Sequence, residues 1–418
     1  MTLEKGAIIL YDTTLRDGTQ QEGISLTLKD KLDITKKLDQ IGIDIIEGGW
    51  PFSNPKDEEY FQAVTSLDLK NARISAFGST RRVGTTAEED LNLQALLDSK
   101  AEILMVVGKT WDLHVTQVLE TSLAENKSMI FDSIKYLKTF DKEVHFDAEH
   151  FFDGHEANPN YALECLQAAV DAGVDGIHLC DTNGGMLPNK LASIIDIVRD
   201  KIDTPLGIHV HNDGDLAVAN SITAVEHGVV YVQGTINGYG ERCGNANLCS
   251  IIPALQVKMG LQTILPEQLK NLRSVAQEIS ELVNIGMHPS QPYVGSRAFT
   301  HKAGLHASAV AKVERSYEHM DPKIVGNSRR IVVSELAGRS NIVSAAKRMG
   351  ISISTIETKK ILESVKNAEA QGFLFDGADA SLEMLVRRNL GDYSAPFILE
   401  DFIVLAEKLR RPPVQNRD

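Results

Sequence analysis

Eight repeats of one pattern dominate the first part of this 418-residue chain. Apolar runs bounded by Gly, Asp or Pro alternate with stretches such as Lys29–Gln40 and Tyr161–Ala172, whose apolar residues recur at three- and four-residue spacing. The runs predict buried parallel strands and the spaced stretches predict helices. The predicted strands are Ala7–Asp12, Gly42–Gly48, Arg73–Gly78, Glu102–Gly108, Glu143–Ala148, Gly176–Asp181, Leu206–His211 and Val229–Thr235. Eight such units in about 250 residues predict an α/β fold, the (β/α)8 TIM barrel.

An open, doubly wound sheet is the competing fold for an alternating pattern. That fold often carries Gly-x-Gly-x-x-Gly after its first strand, and this chain has no such motif there. The barrel therefore remains the favoured fold.

The pattern changes after Leu265 to helices and irregular loops without obvious strands. The predicted helices are Pro266–Ile285, Ser334–Met349 and Thr355–Glu369. We therefore predict a TIM-barrel domain over residues 1–265, a smaller and mainly helical C-terminal extension over 266–400, and a tail over 401–418.

Charge and cysteine usage exclude several classes of protein. A formal net charge of −14 argues against binding to nucleic acid or to an anionic membrane surface. The four cysteines show no paired spacing, so a disulfide framework is not expected and a reducing, cytoplasmic location is. The N-terminus has no apolar signal core, and no apolar stretch reaches the roughly 18 residues that a membrane span needs.

A metal site is predicted where the first and seventh strands end. His209 and His211 are two residues apart, so both imidazoles point to the same face of their strand. A single histidine in such a place is usually a core residue, but a pair favours a metal. Asp17 follows the first strand and adds an oxygen ligand, although with Arg16 it can also form an ordinary surface ion pair. Two nitrogens and one oxygen suit Zn or Mn better than Mg.

Further polar residues follow the fifth, sixth and eighth strands. Asp147 and Glu149 share a strand face and can serve as a general base or as substrate contacts, or they can be exposed loop acids. Thr182 is placed similarly after the sixth strand. Asn245 lies in a glycine-rich loop, where its amide oxygen can reach the metal, but the loop can equally cap the next helix through Asn247.

Other candidate side chains have weaker signals. Trp50 ends the second strand, where a bulky side chain can narrow the pocket, and Arg81 follows the third strand, where it can bind an anion or form a solvated charge pair. His301, His306 and Tyr317 lie in or near a glycine-containing loop of the extension, where histidines are often merely exposed.

Three motifs together resemble the DRE-TIM metallolyase family. They are DTTLRDGTQ at residues 12–20, HVHND at 209–213 and GERCGN at 240–245. Within that family the chain is similar to the 2-isopropylmalate, homocitrate and citramalate synthases over nearly its whole length. EGGWP at 47–51 and DAEHFFDG at 147–154 are most similar to the bacterial-type citramalate synthases, whose 2-oxo acid is pyruvate.

The resemblance implies a reaction and a set of roles. Members condense acetyl-CoA with a small 2-oxo acid and then hydrolyse the thioester; with pyruvate this gives (R)-citramalate, which feeds isoleucine biosynthesis through 2-oxobutanoate. It implies a divalent metal (Mn, Zn or Mg) on Asp17, His209 and His211, with Asn245 as a further ligand. It also implies a homodimer, and it places the tail 401–418 at the position where the regulatory domain common in other members would begin.

Catalytic and substrate roles also follow from the resemblance. Arg16 stabilises the charge that develops on the keto oxygen, Glu149 is a catalytic carboxylate and Thr182 contacts the substrate carboxylate. His306 and Tyr317 are supplied across the dimer interface. The base that takes the methyl proton is Glu149 or His306, and the sequence does not choose between them.

Three alternative functions remain at this stage. The first is the same condensation with another 2-oxo acid, which gives isopropylmalate or homocitrate. The second is a lyase or retro-aldol reaction on the same barrel, which the extension with His301 and Tyr317 disfavours. The third is a catalytically silent barrel that acts as a binding or assembly subunit, which the intact Arg16, Asp17, His209 and His211 disfavour.

Overall fold

The computed structural model describes residues 8–302, 309–310, 313, 316–334, 338–391, 393–395, 397–398 and 400–404. The chain divides into two compact units. The first comprises Met1–Thr300 and Glu318–Arg330, and the second comprises His301–Tyr317 and Ile331–Asp418.

The first unit is built on a closed barrel of eight parallel strands in sequence order. β1 pairs with β8, for example Leu10 with Val232, and this closure rules out the open doubly wound sheet. All eight predicted strands and the predicted TIM barrel are thus confirmed. The strands are β1 Ile9–Asp12, β2 Ile45–Glu47, β3 Arg73–Ser79, β4 Ile103–Lys109, β5 Glu143–Glu149, β6 Gly176–Asp181, β7 Leu206–Val210 and β8 Tyr231–Gly234.

Helices surround the barrel and begin at sequence-encoded caps. Thr27 caps α1 by accepting a hydrogen bond from the backbone of Asp30, whose side chain bonds back to Thr27. Pro159 occupies the first turn of α6, where its missing N–H costs nothing. The helices are α1 Leu28–Gln40, α2 Pro55–Val64, α3 Leu91–Asp98, α4 Leu123–Lys138, α5 Phe151–Ala157, α6 Pro159–Asp171, α7 Pro188–Arg199, α8 Ala217–Glu226 and α9 Leu248–Pro253.

The core of the first unit has two layers. Side chains of alternate strand residues fill the barrel interior, among them Tyr11, Phe77, Met105 and Tyr231. A larger cluster fills the space between the strands and the helices. A filled interior means that the barrel is not a pore, so ligands can enter only at its ends.

The region after β8 and α9 departs from the predicted helix Pro266–Ile285. The structure has two helices there, α10 Pro266–Leu269 and α11 Leu272–Leu282. α11 packs against α1, with Val275 and Ile279 buried. This packing explains why the first unit continues past the predicted domain limit at residue 265 to Thr300.

Three helices of the second unit, within the part of the chain that the structure describes, pack around a small apolar core. The helices are α12 Arg339–Arg348, α13 Thr355–Ala370 and α14 Asp379–Leu390. Ile342, Ile361, Val365 and Leu382 form the centre of that core. The mainly helical character is confirmed, whereas α14 was not predicted from the sequence.

Two very short strands, β9 Thr300–His301 and β10 Arg330–Ile331, pair in a separate sheet. The expectation of no strands after residue 265 is therefore wrong, because two-residue strands are too short to show alternation. In the part of the chain that the structure describes, no helix combines the length and the apolar character needed to cross a membrane.

Candidate active site

Side chains from the carboxyl ends of the strands surround a cavity of about 470 Å³. Because ligands of TIM barrels bind at this end, the position alone makes the cavity the candidate active site. Nine of the residues predicted from the sequence line it: Arg16, Asp17, Trp50, Arg81, Asp147, Glu149, Thr182, His209 and His211.

Asp17, His209 and His211 form a buried cluster at the floor of this cavity. Their ligand atoms all lie within 4.8 Å of one another. Nε2 of His209 lies 3.2 Å from Asp17 Oδ2 and 3.2 Å from Nε2 of His211. Two nitrogens that bind one ion at about 2.1 Å lie roughly 3.0–3.4 Å apart, so the observed spacing fits a shared divalent ion.

Buried polar atoms without partners support the same conclusion. Oδ1 of Asp17, Nδ1 of His211 and Oδ1 of Asn245 are buried and have no hydrogen-bond partner. Such groups are rare because leaving them unsatisfied costs free energy. Two of these atoms belong to residues of the cluster and the third to the adjacent Asn245, which supports a site built for a bound ion or polar ligand.

The charge states of Asp17 and His211 suit metal binding. Burial opposes ionisation of Asp17, but the charge of Arg16 and the hydrogen bond from His209 outweigh it and hold the pKa of Asp17 well below its usual value. Burial, followed by the neighbouring His209, lowers the pKa of His211 to about 3. At neutral pH the site therefore offers an ionised carboxylate and a neutral imidazole, which are the forms that bind metals.

Asn245 lies beside this cluster, although it does not line the cavity. Its backbone forms an isolated bridge with His211, and its Nδ2 donates to the carbonyl oxygen of Tyr239 at 3.2 Å. Its role as a ligand remains a prediction. The alternative role of the loop is confirmed, because Asn247 caps α9 by accepting from the backbone of Cys249.

Arg16 is fixed beside the metal cluster by contacts on three sides. Its Nε donates to Glu47 Oε2 at 2.5 Å, and its Nη1 lies 3.4 Å from Asp17 Oδ2. The guanidinium carbon lies 3.9 Å from the centre of the Phe77 ring. A cation held in this way is preorganised to face negative charge that develops in the cavity.

Two acids from β5 enter the cavity in different environments. Asp147 is 3% exposed, and burial together with the charge of Glu47 raises its pKa to about 7. Glu149 forms an ion pair with Lys109, a residue at the end of β4 that the sequence interpretation missed. The available signal was a lysine at the end of one strand with an acid at the end of the next.

Trp50 forms one wall of the cavity and is held rigidly. Its indole Nε1 donates to Asn92 Oδ1 at 2.8 Å, and its ring meets Phe77 edge to face at a centroid distance of 5.4 Å. Gly49 before it has a φ of 147°, and a Cβ there would lie 2.5 Å from Asp57 Oδ2. The turn that presents Trp50 therefore requires glycine.

The other residues predicted from the sequence have different surroundings in the structure. Arg81 lines the cavity, but Glu125 and Asp132 hold its guanidinium at 2.7 and 2.8 Å, which weighs against a substrate contact. Thr182 accepts a hydrogen bond from the backbone of His150 at 2.8 Å. Tyr317 belongs to the second unit and is 49% exposed, and His306 lies outside the described residues.

Gln233 on β8 is a buried site residue that the sequence interpretation missed. Its Oε1 lies 2.7 Å from Nδ1 of His209, and its Nε2 donates to Asp147 Oδ1 at 2.9 Å. The signal was a single amide within the apolar run Val229–Thr235, but its partners come from other strands and cannot be identified from local sequence.

Comparisons with known proteins agree with this geometry. Residues 7–284 match the HMGL-like family, and residues 293–372 match the homocitrate synthase post-HMGL domain-like family. The (R)-citramalate synthase of Geobacter sulfurreducens is 52% identical over 401 residues, covering 96% of this chain and 76% of that protein. The (R)-citramalate synthase of Aquifex aeolicus is 49% identical over 406 residues, covering 96% and 77%.

A solved structure supports the fold independently. The HMG-CoA lyase of Bacillus subtilis matches with a TM-score of 0.59 and covers 70% of this chain and 98% of the lyase. At 18% identity this likeness concerns the barrel fold alone.

Proposed function

This chain belongs to the HMGL-like family, and we propose that it acts as an (R)-citramalate synthase, which condenses acetyl-CoA with pyruvate and releases CoA. The observation that carries the proposal is the buried Asp17–His209–His211 cluster beside the fixed cation of Arg16. The citramalate synthases among its relatives, which match nearly the whole chain, support pyruvate as the 2-oxo acid.

A divalent ion held by Asp17, His209 and His211, with Asn245 as a further predicted ligand, would polarise the keto group of pyruvate as a Lewis acid. Zn or Mn suits this donor set better than Mg, because two of the donors are imidazole nitrogens.

Arg16 supplies the fixed positive charge in the proposed reaction. The condensation turns the keto oxygen of pyruvate into an alkoxide, and a preorganised donor at that oxygen lowers the activation barrier. Two of the guanidinium's nitrogens face Glu47 and Asp17, which orients the group and leaves donor capacity for a ligand in the cavity.

The proton of the acetyl methyl group must pass to a base. Glu149 lines the cavity, and its ion pair with Lys109 places its carboxylate at the wall of the cavity. His306 remains the alternative base. After proton removal, the methyl carbon bonds to the keto carbon of pyruvate, and water then cleaves the thioester to release CoA as a thiol.

Thiol release from acetyl-CoA tests the proposed function directly. We expect release with pyruvate in the presence of Mn or Zn, little release with 2-oxoisovalerate or 2-oxoglutarate, and none after thorough EDTA treatment. Restoring the ion should restore the rate of thiol release, because EDTA removes the ion that polarises the keto group and leaves the fold intact.

Other outcomes of the same experiment would change the proposal. Faster release with 2-oxoisovalerate or 2-oxoglutarate would keep the mechanism and replace pyruvate as the substrate. Undiminished activity after EDTA would contradict the metal site. A folded, metal-loaded protein that releases no thiol with any of the three acids would contradict the condensation reaction.

Replacing Trp50 with alanine is expected to widen the range of accepted 2-oxo acids. The indole forms a rigid wall, and its removal opens space for a longer side chain. One added methylene in an apolar pocket changes specificity by about 10–200-fold. We therefore expect kcat/KM for 2-oxobutanoate relative to pyruvate to rise by roughly tenfold or more.

The other tryptophan offers a matched control for this change. Trp111 does not line the cavity, and its ring stacks on His114. Trp111→Ala should leave the ratio of the two substrates unchanged. An unchanged ratio in Trp50→Ala as well would show that Trp50 does not limit the pocket.

We further propose that the protein is a cytoplasmic homodimer in which His306 and Tyr317 complete the partner's site. This proposal rests on the family resemblance and on the absence of paired cysteines. Its mass in solution, measured by light scattering, tests the dimer.

A further inference from the structure

Gln233 stands out because both ends of its buried amide bind site residues. The side chain lies on β8 and has no exposed surface. Burying an amide is unfavourable unless its donor and acceptor are both used. Here the acceptor faces His209 and the donor faces Asp147.

The oxygen end determines which nitrogen of His209 carries the proton. An amide oxygen can only accept, so Nδ1 of His209 must be the donor in the 2.7 Å contact with Gln233 Oε1. In the neutral ring, Nε2 then keeps its lone pair. This nitrogen is the one that lies 3.2 Å from Asp17 Oδ2 and from His211, where the ion is expected.

The nitrogen end of the same amide orients an acid of the substrate cavity. Gln233 Nε2 donates to Asp147 Oδ1 at 2.9 Å, and Asp147 lines the cavity. The opposite orientation of the amide would bring Gln233 Oε1 against the carboxylate oxygen of Asp147, where two acceptors would meet. The hydrogen bonds at the two ends of the amide therefore require the same orientation of the Gln233 side chain.

We propose that Gln233 is a positioning residue that fixes the metal-binding tautomer of His209 and, through the same amide, the carboxyl group of Asp147 at the substrate. The proposal rests on the metal site and the proposed function. It predicts that the two ends of the amide have separable effects, one on metal affinity and the other on the use of pyruvate.

A residue that only packs in the core would behave differently. Its replacement would change the melting temperature without a specific effect on metal binding. Metal affinity is therefore the decisive readout, and calorimetric titration of the metal-free protein with Mn or Zn measures it without any turnover.

The experiment compares three variants of the full chain with the wild type. Gln233→Leu removes both hydrogen bonds, and we expect metal affinity to fall about 10–100-fold, as for other outer partners of histidine ligands. Gln233→Glu keeps an acceptor for His209 but loses the donor to Asp147. We expect it to keep metal affinity within about threefold while kcat/KM for pyruvate falls at saturating metal.

The double variant Gln233→Glu/Asp147→Asn reverses the polarity of the second hydrogen bond. This double variant tests whether an asparagine amide at position 147 can donate a hydrogen bond to the carboxylate introduced at position 233. We expect the melting temperature lost in Gln233→Glu to return and metal affinity to stay at the wild-type level. Gln291→Leu is the matched control, because this buried glutamine binds Asn237 away from the cluster.

The outcomes separate this inference from the proposed function. Wild-type metal affinity in a folded Gln233→Leu protein would overturn the positioning role. An equal loss of metal affinity in Gln291→Leu would also overturn it, because the loss would then result from altered core packing. If Gln233→Leu does not fold, a tenfold loss of affinity in Gln233→Glu would overturn it. Because the titration needs no substrate, wild-type protein that binds metal but releases no thiol would contradict only the proposed function.

Discussion

Replacing Asp17 or His211 with alanine is expected to remove bound metal and turnover together. Each change leaves only two of the three proposed ligands, and Asp17 would also supply the negative charge that attracts the cation. Polarisation of a carbonyl by a metal contributes several kcal/mol, so we expect kcat/KM for pyruvate to fall by about 10³-fold or more. Metal content after dialysis and thiol release with added Mn measure the two effects.

A surface histidine provides the control for these substitutions. His227 pairs with Asp196 through Nδ1 at 2.8 Å and is partly exposed, so His227→Ala should retain metal and activity. Circular dichroism should show a folded barrel for all three variants. Stoichiometric bound metal together with near-wild-type rates of thiol release in Asp17→Ala or His211→Ala would contradict the proposed metal site.

The barrel was predictable because its strands differ from its helices in period and length. Each buried strand is a short apolar run between turn residues, and this signal is local. The break between α10 and α11 was not predictable in the same way, because Lys270 and Asn271 continue the helical pattern of the sequence. The short strands β9 and β10 contain too few residues to show any period.

The candidate site was predictable where its residues are neighbours in sequence. His209 and His211 share a strand face by the two-residue period, and Asp17 follows a strand end, so the fold brings them together. Gln233 and Lys109 were missed because their partners lie on neighbouring or opposite strands. Which side chains meet across a barrel depends on the stagger of its strands, which local sequence does not reveal.

The structure also bears on the predicted role of Arg81. Arg81 was predicted, from its place after a strand, either to bind an anion or to form a charge pair, and two acids from α4 pair with it. Arg16 has the same kind of position and also has two acidic partners, Glu47 and Asp17, but Asp17 belongs to the candidate metal cluster. Position after a strand therefore selects both arginines as candidates, and the distinction between them comes from the candidate metal cluster, which only Arg16 contacts.

Replacing Arg16 with lysine is expected to lower kcat for pyruvate about 10²–10³-fold while metal affinity changes little. Loss of one preorganised donor to a developing oxyanion typically has an effect of about this size. The planar guanidinium reaches Glu47 and Asp17 at once and lies flat against Phe77. A lysine ammonium is a single point charge that cannot make these contacts together. Single-turnover thiol release at saturating Mn and pyruvate measures the effect.

Arg73→Lys is the matched control for that change. Arg73 begins β3 at the opposite end of the barrel, where it pairs with Glu143, and it does not line the cavity. Its replacement should leave kcat unchanged, so a loss confined to Arg16→Lys would identify the local donor and not charge in general. If Arg16→Lys instead raised KM alone, the guanidinium would bind pyruvate equally in the ground and transition states, and its assigned role at the developing alkoxide would be wrong.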